Sequence, residues 1–285
     1  MYKLGLGPYI GGKRRAAEKY ADILNYDVTT YIEGFGGMGN VLLNKGTHEI
    51  EVYNELHYPI YNLFRVISQP ELYEVLRTKI FSTGYSEETY NSAKAEFIGD
   101  EKDFQKGINN INKDNAVDKA ILVLMLLKQS INGDLTKLRF RGIKEGNEEA
   151  DYLGSFYGLD DVAERIRGVK VLNKDINKLL IEHHNNSDIC WFLDPPYDPE
   201  VRTKRLYSVD MDDESKQLEF LRTVRHIKGK AAICGYKSDL YDSLLNKESG
   251  WSSFVIAEVT KSMQFKQAGE SKDVVSEWVW VNYKI

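Results

Sequence analysis

The chain of 285 residues is 42% hydrophobic, which is enough to bury a large core as one sizeable domain or as a domain with an insert. Its formal net charge of -5 argues against binding nucleic acid through overall charge, so such binding would need basic residues concentrated locally. Two cysteines exclude a disulfide framework. Because the N-terminus has no apolar signal core and no run is long enough to span a membrane, we expect a soluble, cytoplasmic protein.

The first chemical pattern lies near the N-terminus, where paired glycines precede a helix expected from about Arg14. Gly11 and Gly12 are followed by Lys13. Paired glycines let the backbone come close to a ligand, and the lysine can meet a carboxylate. Taken alone, an ordinary loop with a solvated lysine is the simpler interpretation.

A predicted strand, a glycine-rich turn and a predicted helix follow over residues 30–44. This order is the first half of a nucleotide-binding βα unit. The turn satisfies the fingerprint G-x-G-x-x-G, so an NAD-dependent enzyme is one open interpretation. The glycines in that spacing are Gly34, Gly36 and Gly39.

A second strand, predicted over residues 49–53, ends just before Glu55. An acid at the end of the second strand of such a fold can accept hydrogen bonds from both hydroxyls of a ribose. This role suits NAD and other ribose-containing cofactors equally, and an ordinary surface glutamate is about as good an interpretation.

The pattern changes over residues 68–157, where short helical segments alternate with polar stretches. We predict an inserted, mainly helical subdomain. It contains a basic cluster in which an extended strand would put Arg139 and Arg141 on one face. Such a cluster can reach phosphates or guanine edges, although a solvated charged surface is the commoner case. The cluster consists of Lys137, Arg139, Arg141 and Lys144.

The most informative stretch is an apolar run over residues 190–193 that stops at an acid and two prolines. The run predicts a buried strand, and the prolines place residues 194–197 just past its carboxyl end, where α/β sheets bind ligands. A carboxylate and a fixed main-chain carbonyl are two acceptors, and an aromatic ring is a platform. Together they suit the amino group of a planar base. The residues are Asp194, Pro195, Pro196 and Tyr197.

Asp194-Pro195-Pro196-Tyr197 resembles the DPPY motif of the Dam-like, D12-class adenine-N6 DNA methyltransferases. The resemblance implies an α/β fold with the Rossmann-like sheet of class I AdoMet-dependent methyltransferases. It implies a cofactor-binding and catalytic domain over residues 1–67 and 158–285, with a target-recognition subdomain over residues 68–157. The implied cofactor is S-adenosylmethionine (AdoMet), and the implied partners are double-stranded DNA and a cognate restriction enzyme, without a metal or a membrane.

The same resemblance assigns roles to individual residues. The stretch 35–39 reads F-x-G-x-G, and Asp175 is expected to accept from the adenine amino group of AdoMet. Apart from the resemblance, the basic residues over 200–207 indicate an active-site loop. The implied catalytic residues are Asp194, Pro195, Pro196 and Tyr197. The implied cofactor-binding residues are Tyr9, Lys13, Glu33, Phe35, Gly37, Gly39, Glu55, Asp175, Ile176 and Asp194. The implied DNA-binding residues are Lys137, Arg139, Arg141, Lys144 and Arg202.

Other features limit or support this interpretation. Residues after Asn132-Gly133 do not follow the GATC-reading pattern, so the target sequence stays open. Segments 253–259 and 276–283 predict a closing antiparallel pair, and the last of them again resembles the family. No histidine has metal-ligand spacing with cysteine. The remaining alternatives are methylation of RNA or of a cytosine amino group, and a DNA-binding module without catalysis.

Overall fold

The computed structural model describes residues 3–7, 12–13, 16–105, 111–112, 114–142, 148–197, 211, 214–260 and 274–285. These residues form a mixed α/β structure with one sheet of seven strands, which confirms the predicted fold class. The strands are β1 (Thr30–Glu33), β2 (Ile50–Asn54), β3 (Lys170–Leu172), β4 (Ile189–Leu193), β5 (Lys230–Gly235), β6 (Ser252–Thr260) and β7 (Val274–Val281).

Between the strands, helices occupy most of the residues that the structure describes. In order they are α1 (Ala17–Ile23), α2 (Asn40–Asn44), α3 (Tyr58–Ser68), α4 (Pro70–Ile80), α5 (Glu87–Gln105), α6 (Ala116–Gln129), α7 (Glu148–Gly154), α8 (Leu159–Ile166), α9 (Ile176–His183), α10 (Glu214–Val224) and α11 (Asp239–Leu244). Two short 3-10 helices span Ile131–Gly133 and Lys247–Ser249.

The strand order is β3-β2-β1-β4-β5-β7-β6. β4 pairs in parallel with β1 and β5, whereas β7 pairs antiparallel with β5 and with β6. The predicted antiparallel pair is therefore confirmed. Because β7 runs against its neighbour β5, its amino-terminal half lies at the edge where β4 and β5 end. Residues that follow β4 and β5 can thus meet residues from the start of β7.

The central strand shows why the apolar runs form these elements. All five residues of β4 are buried. β4 has parallel neighbours on both sides, and a strand whose side chains are all excluded from water needs a continuous apolar run. The strand ends where Asp194 and the prolines interrupt that run, as the sequence predicts.

Two compact units divide the described chain. The first comprises Met1–Arg14, Gly36–Asn44 and Tyr53–Asn173, and the second comprises Arg15–Phe35, Lys45–Val52 and Lys174–Ile285. In the first unit, α3 packs on α6, and α6 also contacts α4 and α5. The second unit contains β4, β5, β6 and β7. The inserted target-recognition subdomain over residues 68–157 stays a prediction.

Two observations concern the length of the helices and the state of the cysteines. Over the part of the chain that the structure describes, every helix is too short or too polar to cross a bilayer. Cys190 and Cys234 are buried as free thiols. Burial raises the pKa of Cys190 to about 11, so its thiol is protonated at neutral pH.

Candidate active site

In the second unit, residues 194–197 follow β4 directly and lie at the carboxyl end of the parallel strands. Pro195 is buried, while Asp194, Pro196 and Tyr197 are half-buried. The backbone of this segment is held by α10, because the Gln217 amide donates to the Pro196 carbonyl at 2.6 Å. Residues 194–197 are therefore partly accessible to solvent, and their backbone is held by a hydrogen bond from α10.

Gln217 is itself held by a second contact. It is fully buried, and its side-chain carbonyl accepts from the Tyr241 hydroxyl at 3.0 Å. Tyr241 packs on Trp280 of β7, with ring centroids 5.0 Å apart. A chain of hydrogen bonds and ring contacts therefore connects β7 and α11 through α10 to the backbone of Pro196.

The ring of Tyr197 is fixed at its edge and at its hydroxyl. Its centroid lies 4.5 Å from that of Tyr236, which follows β5, and the rings meet edge to face at 63°. Its hydroxyl donates to the carboxylate of Glu277 on β7. These two contacts restrain the orientation of the Tyr197 ring.

The surroundings of Tyr197 are acidic. Burial raises the pKa of Tyr20 well above its ordinary value, and neighbouring acidic groups, Glu277 and Asp194 among them, raise it further. Negative charge beside the motif favours a ligand group that gains positive charge. Among the residues that the structure describes, no cluster of His, Cys, Asp and Glu could hold a metal ion.

Glu33 and Phe35, at the end of β1, also belong to the second unit. Glu33 is buried, and its carboxylate accepts from the Tyr31 hydroxyl at 2.7 Å. Phe35 is half-buried and packs edge to face on Phe220 of α10, with centroids 5.5 Å apart. Between them, the Gly34 N–H donates to the Phe192 carbonyl at 2.9 Å, which ties this turn to β4.

Three polar residues, Lys45, His48 and Glu51, lie around Tyr31 of β1. The Lys45 ammonium pairs with the Glu51 carboxylate and lies 3.9 Å from the centre of the Tyr31 ring. His48 stacks on the same ring, with centroids 5.4 Å apart. Since Tyr31 donates to Glu33, this cluster fixes the orientation of a predicted cofactor-binding carboxylate.

Asp175 and Ile176 lie where β3 gives way to α9. Asp175 is the N-cap of α9, and its exposed carboxylate accepts from the Lys178 N–H at 3.1 Å. Ile176 is buried, and a Cβ on Gly34 would lie 2.8 Å from its side chain. The structure thus brings Asp175, Ile176 and Gly34 into the same unit as residues 194–197.

Glu55 belongs to the first unit and is held by backbone donors. Its two carboxylate oxygens accept from the Gly37 N–H at 2.6 Å and from the His57 N–H at 2.7 Å. Burial raises the pKa of Glu55, although these N–H groups act in the opposite direction. A carboxylate has about four acceptor positions, so both oxygens can still accept from hydroxyls.

The glycines beside Glu55 are required by space and by conformation. A Cβ on Gly36 would lie 2.2 Å from the ring of Tyr53, whose hydroxyl donates to the Gly37 carbonyl at 2.6 Å. Gly39 has φ +59, a conformation that L side chains rarely adopt. The turn is therefore packed tightly against the rings of Tyr53 and Phe64, and glycine is required where those rings approach the backbone.

The described DNA-binding candidates lie in a loop over residues 130–142. Instead of an extended strand, the loop is closed by a single antiparallel bridge between Ser130 and Phe140. Phe140 turns inward, 5.2 Å from the Tyr90 ring, while Arg139 and Arg141 on either side are exposed. Both arginines therefore share the outer side of an anchored loop.

The remaining candidates are placed as follows. Lys137 is exposed, with its ammonium 3.8 Å from the Asp134 carboxylate. Lys13 is buried in the first unit. Tyr9, Lys144 and Arg202 lie outside the described residues.

Sequence reasoning missed two polar residues that contact the motif, Gln217 and Glu277. Both are buried, and both interrupt apolar positions, one in α10 and one in β7. A single acid before the alternating Trp-Val run of β7 was the available signal, since buried acids need a partner.

Comparison with known proteins gives the family of the chain. The family described as D12 class N6 adenine-specific DNA methyltransferase matches residues 9–264. The chain is also similar to the protein named type II methyltransferase M.CviBI from Paramecium bursaria Chlorella virus NC1A. The two are 22% identical over 253 residues, which cover 84% of this chain and 86% of the viral protein. A match over most of the chain decides the family, and this chain belongs to the D12 class of N6 adenine-specific DNA methyltransferases.

Proposed function

We propose that the chain transfers a methyl group from AdoMet to the amino group of a flipped adenine at a specific DNA site, using residues 194–197. The observation that carries this proposal is the fixed arrangement after β4, in which a half-buried acid stands beside an aromatic ring anchored by Tyr236 and Glu277. This arrangement supplies an acceptor and a platform for the amine of a planar base.

The residues present fit AdoMet by the chemistry of their acceptors. Glu55 would accept from the ribose hydroxyls, Asp175 from the adenine amino group, and Ile176 would lie beside the adenine ring. Glu33, Phe35, Gly37 and Gly39 would complete the binding residues, with Tyr9 and Lys13 contributed by the N-terminal segment. When bound, AdoMet supplies an electrophilic methyl group.

Within the protein, the Asp194 carboxylate and the Pro195 carbonyl would each accept a hydrogen bond from the adenine amino group. This amine is a poor nucleophile because its lone pair is delocalised into the ring. As the nitrogen becomes tetrahedral and positive, the two acceptors stabilise it more strongly in the transition state than in the ground state. Tyr197 would stack on the base, which must leave the duplex to reach these groups.

DNA would be held by the exposed basic residues of the loop over residues 130–142. Lys137, Arg139 and Arg141 can contact phosphates or base edges, and the proposal includes Lys144 and Arg202. The loop's attachment through Phe140 supports a defined approach to a groove. A cytoplasmic location and a cognate restriction enzyme as a partner complete the proposal.

The test is to incubate the protein with methyl-labelled AdoMet and unmethylated duplex DNA and to identify the labelled nucleoside. We expect N6-methyladenine, and sequencing the same DNA would give the target site. Asp194→Asn should lower kcat by about 100- to 1,000-fold, the scale of losing one contact that stabilises transition-state charge. Asp161→Asn, a change at an exposed position of α8, is the matched control. Label in cytosine, or full activity of Asp194→Asn, would contradict the proposal.

A further inference from the structure

The sheet topology brings a second acid to the motif. β7 pairs antiparallel with β5, with Trp278 opposite Gly235. Glu277 therefore lies beside the carboxyl end of β5, at the edge where residues 194–197 follow β4. It is only 4% exposed, although it belongs to a strand whose other buried residues are apolar.

A buried acid at this position needs an explanation, because burying a carboxylate is unfavourable unless it is paired. Apolar residues fill the neighbouring buried positions of β7, so the sheet itself does not require an acid there. Its carboxylate contacts residue 197 of the segment that follows β4, since the Tyr197 hydroxyl donates to Glu277.

That contact also limits what the Tyr197 hydroxyl can do. A phenol has one O–H to donate, and here it is directed at Glu277. The hydroxyl anchors the ring at the end opposite the main chain, while Tyr236 touches the ring itself. Together these contacts fix both side-chain torsions of Tyr197.

We propose that Glu277 is a positioning residue for methyl transfer, which holds the Tyr197 ring through its hydroxyl in the orientation that receives the target base. This inference depends on the proposed function, because it assumes that the base stacks on Tyr197. A ring that is already oriented loses less freedom when the base arrives, so more of the complexes have the amine at Asp194. The hydroxyl thereby gains a role that stacking alone does not give it.

The test is a double-mutant cycle with Glu277→Gln, Tyr197→Phe and the double variant, measured as kcat/KM on DNA with the identified target site. Each single change should lower kcat/KM by about 10- to 100-fold, the scale of a lost hydrogen bond to a charged group. The double variant should be little worse than either single variant, because Glu277→Gln removes the charge that strengthens this hydrogen bond and Tyr197→Phe removes the hydroxyl that donates it. The KM for AdoMet should not change.

A spectroscopic readout separates positioning from a general structural role. With 2-aminopurine at the target position, the wild-type complex should show a flipped base that is quenched by stacking, and Glu277→Gln should show brighter emission. The matched control is Glu258→Gln on the neighbouring strand β6, where the glutamate is exposed. The control should keep wild-type emission and activity.

The results of these experiments distinguish failure of the inference from failure of the proposed function. If the two single effects multiply in the double variant, or if Glu277→Gln keeps wild-type kcat/KM, the inference is wrong although adenine methylation stands. If the wild-type protein labels no adenine, the proposed function fails and the inference fails with it. Thermal unfolding of each variant, compared at equal folded fraction, keeps loss of stability from imitating either result.

Discussion

The contact between Gln217 and the backbone of Pro196 gives a prediction that joins stability to catalysis. Gln217→Leu keeps the approximate volume of the side chain and removes its donor and its acceptor. The donor is 2.6 Å from the Pro196 carbonyl, and the acceptor is 3.0 Å from the Tyr241 hydroxyl. The change therefore deletes two hydrogen bonds in one step.

The size of the effect follows from burial. A buried polar group that loses its partner costs about 1–3 kcal/mol. Tyr241 is buried, whereas Pro196 is half-buried, so water can partly replace the lost donor at the carbonyl. We expect the free energy of unfolding to fall by about 2–4 kcal/mol.

Catalysis should fall as well. Gln217 holds the carbonyl of Pro196, which is the next residue after Pro195, whose carbonyl is a proposed acceptor for the amino group. A displacement of about 1 Å in a reacting group can cost about 100-fold in rate. We expect kcat to drop by about 10- to 100-fold for Gln217→Leu under conditions in which the variant is fully folded. The measurements are urea unfolding and initial rates of DNA methylation.

The control is Gln69→Leu, at an exposed glutamine before α4 that makes no capping hydrogen bond with its side chain. It should leave both quantities close to those of the wild type. If Gln217→Leu loses stability but keeps the wild-type kcat, then Gln217 does not position the motif and the reasoning is refuted.

Three further predictions concern other parts of the molecule. Lys45→Met breaks a buried ion pair and should lower the free energy of unfolding by about 3–5 kcal/mol, measured by urea titration. The control Lys79→Met breaks an exposed ion pair and should lower it by at most about 1 kcal/mol. Gly36→Ala should weaken AdoMet binding and cost about 1–3 kcal/mol of stability, because the new Cβ would meet the Tyr53 ring; calorimetry showing wild-type affinity would contradict this. Burial raises the pKa of Glu55, and its ionised form would accept from the ribose hydroxyls. The protein should therefore bind AdoMet tightly above that pKa and more weakly as the pH falls through it. This loss should occur at a higher pH than for an ordinary glutamate. Glu55→Gln should abolish this pH dependence in equilibrium binding.

The strands around the motif were predictable because their signal is local. The apolar run of β4 and the strand-turn-helix order around β1 each lie within about fifteen residues, and the structure has both. The acid and prolines that follow β4 mark its end for the same reason. The ends of helices were predicted less accurately. The pattern predicts a helix over residues 87–97, whereas α5 continues to Gln105.

The partners of the motif were not predictable because they are distant in sequence. Gln217 and Glu277 lie 21 and 80 residues from the groups that they contact. Only the strand order shows that β7 reaches the end of β4 and β5. The loop over residues 130–142 differs from an extended strand for another reason, since Asn132 and Leu138 adopt positive φ values of 59 and 45.

The position of β7 has a consequence for how the protein is made. It is the last strand in the sequence among the described residues, yet it lies inside the sheet between β5 and β6. During synthesis, β5 therefore keeps an open edge, and Tyr197 lacks its carboxylate partner, until residues 274–281 have emerged from the ribosome. A chain that stops before this strand would expose an edge prone to aggregation. In a host cell, residues 194–197 therefore gain the contact between Tyr197 and Glu277 only on chains that have been translated through this strand.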